Sequence, residues 1–389
     1  MSVFDRSRIG FSHLSSRQLK GRLLFFWIFH IGLSNTLTFF IPIMLMLPRL
    51  FLPLLTLTLK RFYGAATLEK AWQSTQDLRQ RNIRLTLDYC TEDTSKTNNS
   101  MTLRHLYDLI QFCASKPGHI PFCVLKITAL CPKDVLMKVS SQDSSLLPSE
   151  KKHYKTMCSK VHQLCLAAQK KGVKVLIDAE ESWIQDAIDD LVEKLMLNYN
   201  TSTTATVYHT LQMYRYDRLH YLKKLHQKCV QEKRILAIKL VRGAYLDKER
   251  HRAKKHNYPS PLFETKKETD TAYDAALAFC LQQPNTIFTY IATHNEKSIE
   301  KALPFFQNHN VETKDSQLCF SQLLGMGDHI SFYLAQKNYP VTKYIPYGPY
   351  DSMLPYLLRR AQENASLEGH GKREYELLKK EKRWRQNHI

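Results

Sequence analysis

The chain contains the stretch Ile235-Leu-Ala-Ile-Lys-Leu-Val-Arg-Gly-Ala-Tyr245, in which an apolar run leads directly into polar residues. The run over residues 235–241 is short and rich in Ile, Leu and Val, which predicts a buried β-strand. Gly243 follows it, and glycine permits the backbone to approach a ligand closely. The stretch therefore predicts a core strand that ends at a binding site.

The same pattern recurs along the chain, and a helix-like segment follows each apolar run. The predicted strands cover residues 83–89, 121–129, 173–178, 205–212, 235–241, 286–293, 317–322 and 341–346. The predicted helices cover residues 103–114, 151–171, 183–197, 214–232, 268–282, 296–308, 326–337 and 352–364. Eight such units predict an α/β fold, a closed (βα)8 TIM-type barrel whose site lies at the carboxyl ends of the strands. An open doubly wound sheet is the alternative, but no G-x-G-x-x-G follows the first strand.

Three regions are expected: a basic and apolar helical region over residues 1–80, the barrel over 81–365, and a charged C-terminal tail with one more helix over 366–389. The apolar stretch Leu37–Leu59 is long enough to span a membrane. Three prolines and Arg49 within it argue against a span. We expect short helices that lie on the barrel or on an anionic membrane surface.

The composition argues against several kinds of site and partner. The nine cysteines form no C-x-x-C pair, so neither a zinc site nor a disulfide framework is predicted. Thiols of this kind are typical of a reducing intracellular compartment. The net charge of +20 suits an anionic partner, but no helix-turn-helix, RNP-type or finger pattern accompanies it. Nucleic acid is therefore not the expected partner.

Polar side chains gather where the predicted strands end. They are Lys126, Asp178, Gln212, Lys239, Arg242, Thr293, His294, Gln322 and Tyr344. The carboxyl ends of the strands meet at one face of a barrel, so these residues are expected to share a site. Asp178 needs a partner if it is buried, and Lys126 on the neighbouring strand is the expected one.

An arginine pair follows the last strand, in Tyr356-Leu-Leu-Arg359-Arg360. Asp351 or Ser352 can cap the helix that carries it. Adjacent guanidiniums suit a carboxylate, which takes forked hydrogen bonds from each. The alternative is an exposed helix face on which Glu363 pairs with both arginines. Together with Lys126 the pair predicts a cationic site for an anionic small molecule or a phosphate-bearing cofactor.

Two other functions stay open on the residues alone. Lys126 could form a Schiff base, as in barrel aldolases with anionic substrates. The chain could also be a non-catalytic barrel that associates with membranes.

The motifs resemble those of the proline dehydrogenase family, in its monofunctional, eukaryote-like branch. The resemblance rests on Lys126-Ile-Thr-Ala-Leu130, Asp178-Ala-Glu-Glu181, Gln212, Lys239-Leu-Val-Arg-Gly-Ala-Tyr245, Thr293-His294-Asn295, Gln322-Leu-Leu-Gly-Met-Gly327 and Tyr344 followed by Tyr356-Leu-Leu-Arg-Arg-Ala-Gln-Glu-Asn364. It implies a distorted (βα)8 barrel that binds FAD and oxidises L-proline to Δ1-pyrroline-5-carboxylate. It also implies that the electrons pass to a membrane quinone.

The resemblance implies substrate contacts as well. Arg359 and Arg360 would hold the proline carboxylate, with Lys126 beside the carboxylate and ring nitrogen and Asp178 anchoring that network. The pocket around the apolar ring would be formed by Leu240, Tyr245, Tyr344 and Tyr356.

The cofactor contacts follow in the same way. Gln212 would address the isoalloxazine, and Lys239, Val241 and Gly243 the flavin and ribityl chain. Thr293, His294 and Thr269 would lie on the phosphate side, and Glu363 on the adenosine side. Because no signal peptide or clear presequence is visible, we expect a cytoplasmic protein peripheral to the inner membrane, with the mitochondrial matrix and inner membrane as the alternative.

Overall fold

The computed structural model describes residues 2–5, 7–31, 60–90, 99–308, 317–350, 353, 356–357, 359–360 and 370–388. Within these residues the strands are β1 (Arg84–Tyr89), β2 (Phe122–Leu125), β3 (Lys174–Ile177), β4 (Val207–Gln212), β5 (Leu236–Val241), β6 (Ile287–Ala292), β7 (Leu318–Leu323) and β8 (Val341–Tyr347). Each strand pairs in parallel with the next, and β8 pairs with β1, so the sheet closes. The predicted barrel is confirmed.

The helices of the described residues surround this sheet. They are α1 (Ser7–Phe11), α2 (Ser16–Ile31), α3 (Leu68–Ser74), α4 (Gln76–Arg79), α5 (Asn99–Ala114), α6 (Lys133–Ser140), α7 (Pro148–Lys170), α8 (Ser182–Tyr199), α9 (Arg218–Gln231), α10 (Leu246–Lys255), α11 (Lys266–Leu281), α12 (Glu296–Asn308), α13 (Asp328–Gln336) and α14 (His370–His388). Between β8 and α14, residues 353, 356, 357, 359 and 360 are helical.

Side chains fill the barrel interior at alternate positions of the strands. Tyr290 stands in the interior, and its hydroxyl lies within 2.8 Å of the hydroxyls of Thr86, Ser321 and Thr342. The other face of each strand packs against the surrounding helices, as Leu87 and Ile238 do. This two-residue alternation decides which side chains can reach the site.

A second hydrophobic core lies beside the barrel. Phe11, Phe25 and Phe26 from the N-terminal helices pack there with Leu377 and Leu378 of α14. Met353, Tyr356 and Leu357 belong to the same cluster, which therefore holds the segment that carries the arginines. None of the described helices is long and apolar enough to cross a membrane.

Ion pairs between buried charges connect the N-terminal and C-terminal helices to the barrel. Lys343 of β8 is fully buried and its Nζ lies 2.8 Å from Oδ1 of Asp328, which also contacts Arg22 of α2 at 2.5 Å. Arg61 pairs with Glu374 of α14 at 2.7 Å. The residues expected to form a charged tail thus make a packed helix whose Glu374 side chain is buried.

The strand bounds lie close to those predicted, with one main difference. The second strand ends at Leu125, and Ile127–Ala129 form a 3-10 turn. Helices α6 and α10 were not predicted. The stretch Leu37–Leu59, the caps Asp351 and Ser352, and Glu363 lie outside the described residues.

Candidate active site

A cavity of about 330 Å³ opens at the carboxyl ends of the strands. Seven Lys or Arg side chains line it, against two carboxylates, those of Asp178 and Glu180. Residues from β4 to β8 and from the helical segment after β8 contribute to the wall. The cavity is therefore strongly cationic and suits an anionic ligand.

Asp178, which follows β3, is the centre of one hydrogen-bond network. Its Oδ1 lies 2.5 Å from Nζ of Lys239 and accepts a longer bond from Thr210. The Tyr344 hydroxyl donates to Oδ2 at 3.0 Å. Burial raises the pKa of Asp178, but the ammonium groups of Lys239 and Lys126 outweigh burial and keep it below the ordinary value.

Lys126 has a different main partner from the one predicted. Its Nζ lies 2.6 Å from Oδ2 of Asp88, and 4.0 Å from the nearest oxygen of Asp178. The ammonium is 3.5 Å from the Tyr344 hydroxyl. Burial lowers the pKa of Lys126, but the carboxylate of Asp88 leads the effects that raise it well above the ordinary value.

Asp88 was missed by sequence reasoning, although a signal was present. It is a carboxylate in the apolar strand Arg84–Tyr89, one residue before the strand ends. A buried carboxylate needs a charged partner, and this argument, which was applied to Asp178, holds equally for Asp88. Lys126 follows β2, which lies between β1 and β3, so it neighbours both acids.

Glu180 closes another side of the cavity. It accepts hydrogen bonds from the Thr128 amide at 3.0 Å and the Thr128 hydroxyl at 2.5 Å. Burial raises the pKa of this carboxyl above its ordinary value. The next residue, Glu181, pairs instead with Lys133 at 2.7 Å and Lys248 at 3.4 Å.

Gln212 at the end of β4 presents an unused acceptor to the cavity. Its Nε2 donates to the backbone oxygen of Glu180 at 3.0 Å. Its Oε1 is buried and accepts no hydrogen bond from the described residues. A buried acceptor of this kind suits a ligand that carries a polarised N–H.

Arg242 provides an anchored cation on the same wall. Its guanidinium contacts Asp270 at 2.6 Å, the Thr293 hydroxyl at 2.6 Å and the Ser298 hydroxyl at 3.0 Å. His294 also lines the cavity, and its Nε2 accepts from the Leu323 amide at 3.0 Å. This group of side chains is able to hold a phosphate.

The arginine pair lines the cavity from the helical segment after β8. Arg360 is 8% exposed and lies over the ring of Tyr356, 5.2 Å from its centroid. Arg359 is half-buried. These positions do not match the alternative of an exposed helix face.

The structure brings most of the predicted site residues together. Those that line the cavity are Lys126, Asp178, Gln212, Lys239, Val241, Gly243, Tyr245, Thr293, His294, Tyr344, Tyr356, Arg359 and Arg360. Leu240 does not line it, because it alternates with the inward-facing Lys239 and Val241 and packs in the outer core. Thr269 is half-buried on α11 and does not line the cavity either.

Comparison with characterised proteins gives a consistent result. A family model described as "Proline dehydrogenase" matches residues 71–373. The carbapenem antibiotics biosynthesis protein CarD of Pectobacterium carotovorum is 33% identical over 321 residues, 82% of each chain. The mitochondrial proline dehydrogenase 1 of Drosophila melanogaster is 34% identical over 252 residues, 62% of this chain and 37% of that protein.

A solved structure has a similar fold. Proline utilization A of Bdellovibrio bacteriovorus, inactivated by N-propargylglycine, superimposes with a TM-score of 0.70 at 21% identity. The match covers 82% of this chain and 34% of that protein.

Proposed function

Because the chain belongs to the proline dehydrogenase family of oxidoreductases, we propose that it oxidises L-proline to Δ1-pyrroline-5-carboxylate with FAD and passes the electrons to a membrane quinone. The observation that carries the proposal is the cationic cavity in which Arg359, Arg360 and Lys126 converge. A small ligand with one carboxylate on an apolar ring matches it, since Tyr344 and Tyr356 supply apolar wall beside the charges.

The arginine pair and Lys126 would hold the substrate carboxylate. Its charge is matched by groups that are already buried or half-buried in the cavity wall, so the binding contacts are oriented before the substrate arrives. Asp178 would stay ionised, because its pKa is lowered, and would keep Tyr344 and Lys239 in place. No strong base is needed if the substrate amine arrives neutral.

The residues at the other side of the cavity fit FAD. Gln212 offers a buried acceptor to the N–H of a flavin ring. Lys239, Val241 and Gly243 would follow the flavin and ribityl chain, and Thr293, His294 and Arg242 the phosphates. When bound, FAD would supply the two-electron oxidant for the substrate C–N bond.

The Schiff-base alternative is disfavoured by the surroundings of Lys126. A lysine that attacks a carbonyl must lose its proton, which requires a lowered pKa. Here Asp88 lies 2.6 Å from Nζ, and the pKa of Lys126 is raised. The proposed oxidation instead uses the charged ammonium.

We place the enzyme at the periphery of a membrane, where a quinone is available. The similarity to the mitochondrial proline dehydrogenase 1 of Drosophila melanogaster supports the mitochondrial alternative. The basic surface would suit an anionic bilayer.

A coupled assay tests the proposal. The purified protein, supplied with FAD, is given L-proline and a water-soluble quinone, and the product is identified by mass spectrometry. We expect quinone reduction matched one-to-one by a product two hydrogens lighter than proline. Absence of quinone reduction by FAD-loaded protein would reject the proposed function. Borohydride trapping of a carbonyl substrate on Lys126 would favour the aldolase instead.

A further inference from the structure

Asp88 is a buried carboxylate that lies directly behind the cavity wall. Its exposed fraction is 1%, and it does not itself line the cavity. Its Oδ2 lies 2.6 Å from Nζ of Lys126, which does line the cavity. The Cys90 thiol donates to the same oxygen at 2.6 Å. One oxygen atom therefore organises both groups.

We propose that Asp88 is a positioning residue for the substrate site: it holds the Lys126 ammonium against the cavity, and Cys90 holds the Asp88 carboxylate. The inference rests on the proposed function, because the contact that Asp88 organises is the contact to the proline carboxylate and ring nitrogen. Because Asp88 does not line the cavity, it would touch neither substrate nor cofactor.

Asp178 cannot take this part, because its oxygens serve other groups. Oδ1 is 2.5 Å from the Lys239 ammonium, and Oδ2 accepts from the Tyr344 hydroxyl at 3.0 Å. The 4.0 Å separation from Lys126 leaves Asp88 as the only short carboxylate contact of this lysine among the described residues. Asp88 thus holds Lys126, whereas Asp178 holds Lys239 and Tyr344.

Strand geometry explains why Asp88 can reach Lys126. In β1 the side chains of Leu85 and Leu87 pack in the outer core, so Thr86 and Asp88 point into the barrel. Lys126 follows the neighbouring strand β2. Because its side chain points into the barrel next to β2, Asp88 reaches the Lys126 ammonium directly.

Cys90 links the same carboxylate to the arginine-bearing segment. Its side chain is 2% exposed and packs in the second hydrophobic core with Met353 and Tyr356. The thiol is the donor toward Asp88, because a carboxylate can only accept. Packing around Cys90 therefore fixes the orientation of Asp88 relative to Arg359 and Arg360.

The surroundings of Lys126 give the inference a pH signature. The ionisable groups that face the ammonium come from several elements: Asp88, Cys90, Asp178, Tyr245, Tyr344 and Tyr356. Burial alone would lower the pKa of Lys126, and the carboxylates reverse that effect. Loss of the Asp88 charge leaves the burial in place, so the pKa of Lys126 must fall.

The first test replaces Asp88 by Asn in the FAD-loaded enzyme. We expect KM for L-proline to rise on the order of 100-fold, as for the loss of a buried charge-assisted contact to the substrate carboxylate. We expect kcat to change less than about threefold, because ground and transition states lose the same contact. The alkaline limb of the kcat/KM profile should move to lower pH. Asp88→Glu should move the alkaline limb part of the way back toward its wild-type position, since it keeps the charge.

Asp189→Asn is the matched control. Asp189 is 5% exposed and pairs with Arg218 at 2.5 Å outside the barrel, so it is a buried acid of the same kind. Its loss should lower the melting temperature without moving the pH profile. A folded Asp88→Asn protein with an unchanged KM and pH profile would overturn the inference.

If Asp88→Asn does not fold, a second pair of variants tests the same inference through the hydrogen bond from Cys90 to Asp88. Cys90→Ser keeps a donor to Asp88, whereas Cys90→Val removes it. We expect KM to rise roughly fivefold in the valine variant, for the loss of one hydrogen bond, and to stay near wild type in the serine variant. Equal KM values in the two would contradict the inference. Failure of the wild-type enzyme to oxidise proline would instead reject the proposed function.

Discussion

Replacement of Arg360 by Met tests the substrate clamp. Arg360 is 8% exposed and lines the cavity, its guanidinium lies over the Tyr356 ring, and methionine keeps much of the apolar stem. Removal of one partner from a buried charge-assisted contact costs about 2–5 kcal/mol. The lower end of that range corresponds to roughly 30-fold weaker binding.

Steady-state kinetics on Arg360→Met, with flavin occupancy measured in parallel, give the comparison. We expect KM for L-proline to rise by roughly 30-fold or more, while bound FAD per protein stays at the wild-type value. FAD binding should be unaffected because the proposed cofactor contacts come from other elements than the arginine-bearing segment. They are made by Gln212, Arg242 and His294. Arg359→Met should behave in the same way.

Arg79→Met is the matched control for the loss of a stacked arginine. Arg79 lies 3.4 Å from the ring centroid of Trp72 and precedes β1, so it belongs to the opposite end of the barrel. Its loss should leave proline kinetics unchanged. An Arg360→Met enzyme with wild-type KM would remove the arginine pair from the substrate site and refute the reasoning.

Three other predictions follow from single contacts. Gln212→Leu removes the buried acceptor, and we expect FAD affinity to fall by about 1–3 kcal/mol in a fluorescence titration; unchanged affinity would show that this oxygen does not meet the flavin. Asp328→Asn leaves the fully buried Lys343 without its carboxylate, and we expect a loss of about 3–5 kcal/mol in chemical denaturation; a loss below about 1 kcal/mol would contradict the importance of that pair. Burial lowers the pKa of His13 to about 4, so the unfolded chain binds the proton more readily and stability falls as pH drops from about 6.5 toward 4. Melting curves should show this slope in the wild type and a shallower one in His13→Gln; equal slopes would exclude His13 as its source.

The barrel could be predicted because the strands repeat a simple pattern. Buried parallel strands appear in the sequence as short apolar runs, and nearly all of the predicted strands end at a polar residue, which the barrel places at its carboxyl face. Helices α6 and α10 were not predicted from the sequence pattern. In α10 only Glu249 and Ala253 are buried, so the sequence shows no apolar stripe.

The site was less predictable than the fold, because pairing depends on distances of a few ångströms. Lys126 follows a strand that has an acid on each side, Asp88 and Asp178, and sequence cannot choose between them. In the structure Asp88 is the closer partner, at 2.6 Å from Nζ of Lys126 against 4.0 Å for Asp178. Leu240 shows a different limit: the resemblance assigned it to the pocket, whereas alternation along β5 turns its side chain toward the helices.

The most direct test of the central claim is the visible spectrum of the FAD-loaded protein under anaerobic conditions. We predict that the flavin absorbance bleaches on addition of L-proline and persists with D-proline, because the arginine pair and Lys126 fix the carboxylate on one side of the cavity. An FAD-loaded protein whose spectrum stays unchanged with L-proline, or a protein that does not take up FAD at all, would contradict the account.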